Sequence, residues 1–90
     1  MFVVVCYDIP DDRRRARAGK VLEGFGARVQ KSVFECDLKD EHVRKLKEKL
    51  KRVINGEDSL RYYHLCAHCI SRVETVNGPP PEKARAYFAV

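Results

Sequence analysis

The sequence predicts an α+β domain in which two amphipathic helices cover one face of a small β-sheet. Three observations support this. The chain has 90 residues, which suits one domain. Runs of β-branched and aromatic residues alternate along it with helical periodicities, and the connection in the middle of the chain is short. Because a domain of this size buries only about 60–65% of its unfolded surface, we expect self-association to add to its stability.

The first strand is predicted at residues 1–7, an apolar run typical of a central strand buried on both faces. Pro10 favours a turn after it, and Asp11 or Asp12 can cap the helix that follows. That helix extends to about Phe25, and Gly26 is placed as the residue just beyond its end. Its apolar face is formed by Ala18, Val21, Leu22 and Phe25.

The middle of the chain contains a strand-like segment and a second helix. The alternation of residues 27–38 breaks near Lys31-Ser32, so one bent strand and a tight hairpin both remain open. Asp40 is expected to cap the second helix, which Asn55-Gly56 ends. Its inner face holds Val43, Leu46, Leu50, Val53 and Ile54, and its outer face holds Arg44, Lys45, Lys47, Lys49, Lys51 and Arg52.

Two further strands are predicted at residues 58–66 and 69–76, followed by a stiff proline-rich spacer. Residues 1–78 would form the domain, and residues 79–90 a tail with a short edge strand that pairs with a partner subunit. The order is that of a ferredoxin-like βαββαβ sandwich with an extra C-terminal strand. Since two helices cover only one face of a first strand that is apolar on both, we expect a homodimer packed sheet on sheet.

Composition narrows the classes of function. The longest apolar run has seven residues, far below the roughly 20 of a membrane helix, and no basic region precedes it as in a secretion signal. We therefore expect a cytoplasmic protein. The net charge is +5, and most of the excess lies in residues 27–56. A local basic surface favours nucleic acid or another polyanion, although a solvated charged face is the simpler alternative.

Asp8 is the leading candidate for chemistry because it directly follows a buried strand. Its carboxylate suits Mg²⁺ or Mn²⁺, which often take one or two carboxylates together with water and substrate phosphate. One carboxylate per chain makes a poor site, whereas two copies across a dimer axis make a plausible one. The alternative is that Asp8 only caps the turn or the helix. Guanidinium groups that match phosphate oxygens are available nearby at Arg13, Arg14, Arg15, Arg17 and Arg28.

The remaining candidates have simpler interpretations. Cys66 and Cys69, with His64 and His68, have zinc-like spacing, but there is only one such pair. A redox pair is disfavoured because the motif is not predicted to open a helix, so packing is the preferred interpretation. Cys6 and Cys36 are expected to pack as small hydrophobic residues. Three aromatic residues have side chains that can stack on bases, namely Phe34, Tyr62 and Tyr63. On the strands of a small sandwich such residues more often lie in the hydrophobic core, which is the preferred interpretation.

Several segments together resemble one known family. They are Tyr7-Asp8-Ile9, the arginine-rich start of the first helix, GARVQKSVFE at residues 26–35 and DSLRYY at residues 58–63. In this order, over residues 1–76, they resemble the CRISPR-associated protein two family. The resemblance implies a ferredoxin-like homodimer in which Asp8 binds a divalent metal between subunits, Mg²⁺ or alternatively Mn²⁺. It also implies a metal-dependent endonuclease of single-stranded RNA or, in some members, double-stranded DNA.

The resemblance further implies roles for single residues and partners. Asp8 would be the catalytic and metal-binding residue. Nucleic acid would be bound by Arg15, Arg17, Arg28 and Phe34, with Ser32 nearby, and we add Arg13 for its charge. Family members also form the non-catalytic centre of a heterohexameric complex that integrates spacers, in which a dimer bridges two integrase dimers. A metal-dependent nuclease and a DNA-binding scaffold therefore both remain open as functions.

Overall fold

The computed structural model describes residues 1–78, and the predicted β-α-β-β-α-β order is confirmed there. The elements are β1 (Phe2–Asp8), α1 (Asp12–Glu23), β2 (Ala27–Gln30), β3 (Val33–Asp37), α2 (Asp40–Val53), β4 (Ser59–Leu65) and α3 (Ala67–Ser71). The sheet has the order β2-β3-β1-β4 with antiparallel neighbours, which is the ferredoxin-like arrangement. The predicted tail strand lies outside the described residues. No helix within residues 1–78 is long and apolar enough to cross a membrane.

The main core lies between the sheet and the two long helices. Val3, Val5 and Phe34 of the sheet pack there against Leu22 of α1 and Leu46 of α2, and all five are completely buried. Each such side chain contributes about 1.5–3 kcal/mol relative to exposure. This core holds the end of β1 and the start of α1 in fixed positions.

The two ends of α1 are set by different means. Asp11 caps the start of α1, because its carboxylate accepts the backbone N–H of Arg14 at 2.9 Å. This decides between Asp11 and Asp12, the two caps that the sequence allowed. The prediction that Gly26 lies just beyond the end of α1 was wrong, because α1 ends at Glu23 with Gly24 as its cap, and no described glycine has a positive φ. Gly26 is needed for space instead, since a Cβ there would lie 2.3 Å from the Glu35 carbonyl oxygen.

The segment at residues 27–38 is a hairpin, which decides between the two alternatives. β2 and β3 meet at the turn formed by Lys31 and Ser32, and a register shift between Arg28 and Gln30 explains the broken alternation. The expected cap of α2 was wrong, because Lys39 occupies the cap position without a side-chain hydrogen bond. Asp40 lies instead in the first turn, where the helix dipole favours a carboxylate.

The chain after β4 departs most from the sequence-based expectation. The predicted strand at residues 69–76 was wrong, and the short helix α3 forms at Ala67–Ser71. It forms because Ile70 finds a buried position against Phe2, on the sheet face that α1 and α2 leave open. A third helix therefore covers one end of that face, while Val4 and Cys6 remain only half-buried.

Candidate metal and nucleic-acid site

Asp8 is the last residue of β1, and its carboxylate is exposed without a hydrogen bond or ion pair to any residue of the described part of the chain. The alternative that Asp8 caps the helix was wrong, because Asp11 does so. Since side chains alternate along a strand, Asp8 lies on the face of Val4 and Cys6, away from α1 and α2. It is a free carboxylate at the rim of the face where we expect the dimer.

One chain by itself does not form a metal centre. Within residues 1–78, no group of three or more His, Cys, Asp or Glu side chains could hold an ion. The exposed Asp8 carboxylate is nevertheless a hard oxygen ligand, and Mg²⁺ is commonly held by one or two carboxylates with water and phosphate. The residues therefore fit Mg²⁺ only when a second carboxylate and the substrate complete the set.

Three of the predicted nucleic-acid contacts meet in one cleft. Arg15, Arg28 and Ser32 line a cleft of about 380 Å³ together with Tyr7, Asp12, Ala16 and Lys31. Tyr7 belongs to the helix-covered face of β1, so this cleft opens on the side of the sheet opposite to Asp8. Tyr7 and Lys31 carry no sequence signal that predicts a place in this cleft. The Tyr7 hydroxyl donates to the Lys31 carbonyl at 3.2 Å, which fixes the turn at the edge of the cleft.

Arg28 is the most firmly positioned cation of the cleft. Its guanidinium lies over the Phe34 ring, 4.7 Å from the ring centre, and donates to the Lys31 carbonyl. Gly19 makes room for it, since a Cβ at that position would lie 2.7 Å from Nη2 of Arg28. Phe34 is completely buried, which confirms the core interpretation of this residue over base stacking. It contributes by supporting Arg28.

The arginines of α1 divide into engaged and free groups. The expectation that Arg14 binds phosphate was wrong, because its guanidinium donates hydrogen bonds to the carboxylates of Asp58 and Glu57. Arg15 donates to the carbonyl of Ile9 at 3.0 Å and pairs with Asp12 at the edge of the cleft. The free arginines of α1 are Arg13 and Arg17, which lie outside the cleft, exposed and without an ion-pair partner among residues 1–78.

The outer face of α2 is basic, as predicted. All six of its Lys and Arg side chains are exposed. Two lie over aromatic rings, with the ammonium of Lys47 5.1 Å from the centre of Tyr62 and that of Lys49 5.6 Å from the centre of Phe25. Such cation–π contacts hold the two ammonium groups close to the protein surface.

The cysteines follow two patterns. Cys36 is buried and Cys6 half-buried, which confirms that they pack as small hydrophobic residues. The packing interpretation was wrong for Cys66 and Cys69, which are both exposed with their sulfur atoms 3.5 Å apart. The reason for disfavouring a redox pair was also wrong, because α3 begins directly after Cys66.

Comparison with known proteins decides the family. The sequence profile of the family described as CRISPR associated protein Cas2 matches residues 1–73. The chain belongs to the Cas2 family. The family resemblance seen in the sequence motifs is thus confirmed over the ferredoxin-like core that carries both Asp8 and the cleft.

Individual Cas2 proteins match the chain over nearly their whole length. A protein of Chloroflexus aurantiacus named CRISPR-associated endoribonuclease Cas2 1 is 46% identical over 93 residues, covering 100% of both chains. The crystal structure of Streptococcus pyogenes Cas2 at pH 6.5 matches with a TM-score of 0.76 and 34% identity, over 86% of this chain and 100% of that one. A chain of a partial Cas6-RT-Cas1–Cas2 complex matches with a TM-score of 0.76 and 33% identity, over 88% of this chain and 93% of that one.

Proposed function

We propose that this protein is a metal-dependent endonuclease of CRISPR spacer acquisition that hydrolyses phosphodiester bonds, in single-stranded RNA first and in double-stranded DNA second. The observation that carries the proposal is Asp8, a carboxylate at the end of a rigid central strand that no other described side chain engages. A free carboxylate so placed is available to a hard cation. The endoribonuclease name of the Chloroflexus relative supports the same activity.

The proposed active form is a homodimer joined through the sheet face opposite α1 and α2. Val4 and Cys6 are only half-buried on this face, and Tyr63, which pairs with Val4 in the neighbouring strand, is 46% exposed. Burying these apolar surfaces favours sheet-on-sheet association. The dimer would bring in a second Asp8, and the two carboxylates would hold Mg²⁺, or alternatively Mn²⁺.

The side chains of the chain itself would bind and orient the substrate. A bound divalent ion supplies neutralisation of phosphate charge and a more acidic water. Because the cleft opens on the opposite side of the sheet from Asp8, Arg15, Arg28 and Ser32 would hold backbone phosphates at a distance from the cleavage point, and Arg13 and Arg17 would extend the contact along α1. Because a single chain gathers no cluster of three metal ligands in its described part, we expect slow hydrolysis.

The test is cleavage of labelled single-stranded RNA and duplex DNA in Mg²⁺, in Mn²⁺ and in chelator. Asp8→Asn should reduce cleavage to background while leaving the thermal unfolding midpoint and RNA affinity unchanged. Asp40→Asn is the matched control, because it removes the same charge from an exposed carboxylate on α2. Cleavage by Asp8→Asn at the wild-type rate would rule out the proposed metal centre.

A second candidate is a non-catalytic scaffold that holds duplex DNA between two integrase dimers in a heterohexameric complex. The exposed basic face of α2 favours it, as does the match to a chain from a complex that contains Cas1. This function predicts that Asp8→Asn retains duplex binding and spacer integration with the integrase while cleavage is abolished. If integration and cleavage disappear together with the fold intact, the nuclease is required for acquisition.

A further inference from the structure

Cys66 and Cys69 lie outside the proposed nuclease site and form a pair of exposed thiols. Their sulfur atoms are 3.5 Å apart, and neither is in a disulfide. They lie three positions apart in one helical turn, which is closed by the hydrogen bond from Ile70 N–H to the Cys66 carbonyl at 3.0 Å. Since a disulfide bond is about 2.05 Å long, a side-chain movement of about 1.5 Å brings the two sulfur atoms to bonding distance.

The two thiols are chemically unequal. With both thiols protonated, Cys66 donates to the Cys69 sulfur. Once Cys66 is a thiolate, its sulfur accepts from the backbone N–H of Cys69 and from the Cys69 thiol, and this lowers the pKa of Cys66. The facing Cys66 sulfur raises the pKa of Cys69. Because the thiolate is the nucleophile in thiol–disulfide exchange, Cys66 is the thiol that attacks first. Burial in contrast raises the pKa of Cys36 to about 11, which makes it inert.

We propose that Cys66 and Cys69 form a reversible dithiol–disulfide site that reacts with low-molecular-weight disulfides of the glutathione class. The Cys66 thiolate attacks one sulfur of the small disulfide, whose S–S bond breaks and releases one thiolate. The Cys69 thiol then loses its proton and attacks the Cys66 sulfur, which releases the second small thiol. In total the small disulfide is reduced to two thiols, and the Cys66–Cys69 pair is oxidised to one disulfide.

Oxidation should leave the fold in place. Neither thiol belongs to the buried clusters of the described chain, whereas Ile70 in the same turn anchors α3 on Phe2. The site is thus independent of the proposed nuclease centre, which uses the opposite end of β1. Asp8 pairs with Ser59 at the start of β4, and Cys66 follows the end of that strand.

The test equilibrates the protein with glutathione buffers of increasing disulfide content in chelator, quenches with an alkylating agent and measures intact mass. Wild type should lose two hydrogens and two alkylatable thiols, with an unchanged circular dichroism spectrum. Cys69→Ser should accumulate one glutathione adduct on Cys66, and Cys66→Ser should react at least about tenfold more slowly. Cys6→Ser is the control and should oxidise as wild type does.

Two outcomes would overturn the proposal. One is wild-type protein that keeps a bound glutathione instead of forming the internal disulfide, since Cys69 would then not reach Cys66. The other is equal reaction rates for Cys66→Ser and Cys69→Ser, because the attacking and resolving roles would then not exist. Both serine variants keep an exposed polar side chain of similar size, so neither result would reflect a failure to fold.

Discussion

Arg14 and Asp58 form a two-point ion pair although 44 positions separate them in the sequence. Nε and Nη2 of Arg14 donate to the two carboxylate oxygens at 2.9 and 3.2 Å. The Asp58 side chain is completely buried, and it also accepts the backbone N–H of Asn55 at 2.9 Å. The pair fastens α1 to the connection that leads into β4, and so fixes the start of α1 beside the cleft.

This ion pair predicts a pH-dependent stability. The Arg14 hydrogen bonds hold the pKa of Asp58 below its usual value. The contribution of the ion pair to folding stability is therefore complete above the unfolded pKa of Asp58, about 4, and is lost as pH falls from there through the lower folded pKa. Asp58→Asn should lower the thermal unfolding midpoint by several degrees at pH 7, with a smaller difference from wild type near pH 3. An equal difference at both pH values, or the same effect from Asp40→Asn, would contradict this.

Gly26 predicts a steric effect on stability. A Cβ at this position would lie 2.3 Å from the Glu35 carbonyl oxygen and 2.5 Å from the Cys36 sulfur, and the backbone contact cannot yield cheaply. Gly26→Ala should lower the free energy of unfolding by about 1–3 kcal/mol, measured by urea denaturation. Gly56→Ala is the control, because a Cβ there meets nothing within 4 Å. Equal effects of the two substitutions would rule out the close contact as the cause.

The setting of Arg28 predicts that a lysine substitution there weakens RNA binding, whereas the same substitution at Arg13 does not, although both keep the charge. Arg28→Lys removes the planar group that lies over Phe34 and contacts the Lys31 carbonyl. We expect affinity for single-stranded RNA to fall about fivefold, corresponding to roughly 1 kcal/mol. Arg13→Lys, at an exposed position without an ion pair among the described residues, should leave affinity unchanged. Unchanged affinity for Arg28→Lys would show that only the charge of Arg28 matters, and equal losses in both variants would show that the Phe34 contact is not the cause.

The outer face of α2 predicts a change in the salt dependence of duplex DNA binding. Replacing Lys45, Lys49 and Arg52 by glutamine should weaken binding and flatten the logarithmic salt dependence by about 0.9 unit for each phosphate that the variant no longer neutralises. A charge-matched triple variant at Arg44, Lys47 and Lys51 is the control on the same helix and should change the slope less. An unchanged slope would remove this face from the interface, and equal changes in both variants would show that the contact is spread over the whole face and not concentrated on Lys45, Lys49 and Arg52.

Local patterns predicted most of the fold because each uses neighbouring residues. The apolar run of β1, the helical spacing of Ala18 and Leu22 and the cap at Asp11 are all short-range features, and all were confirmed. The errors came where a distant partner decided the outcome. Residues 69–76 alternate as a strand would, but Ile70 packs on Phe2 across the sheet, and that contact favours a helical turn. Gly26 is likewise required by the backbone of β3.

By itself, the sequence determined the order of strands and helices, the position of Asp8 at the end of β1 and the basic face of α2. It did so because hydrophobic periodicity and capping act within one element. Only the tertiary structure decided that Asp8 and Arg28 lie on opposite faces of the sheet, that Asp58 engages Arg14, and that Cys66 and Cys69 face each other. These outcomes depend on strand register and on contacts between residues far apart in the chain, which local periodicity does not encode.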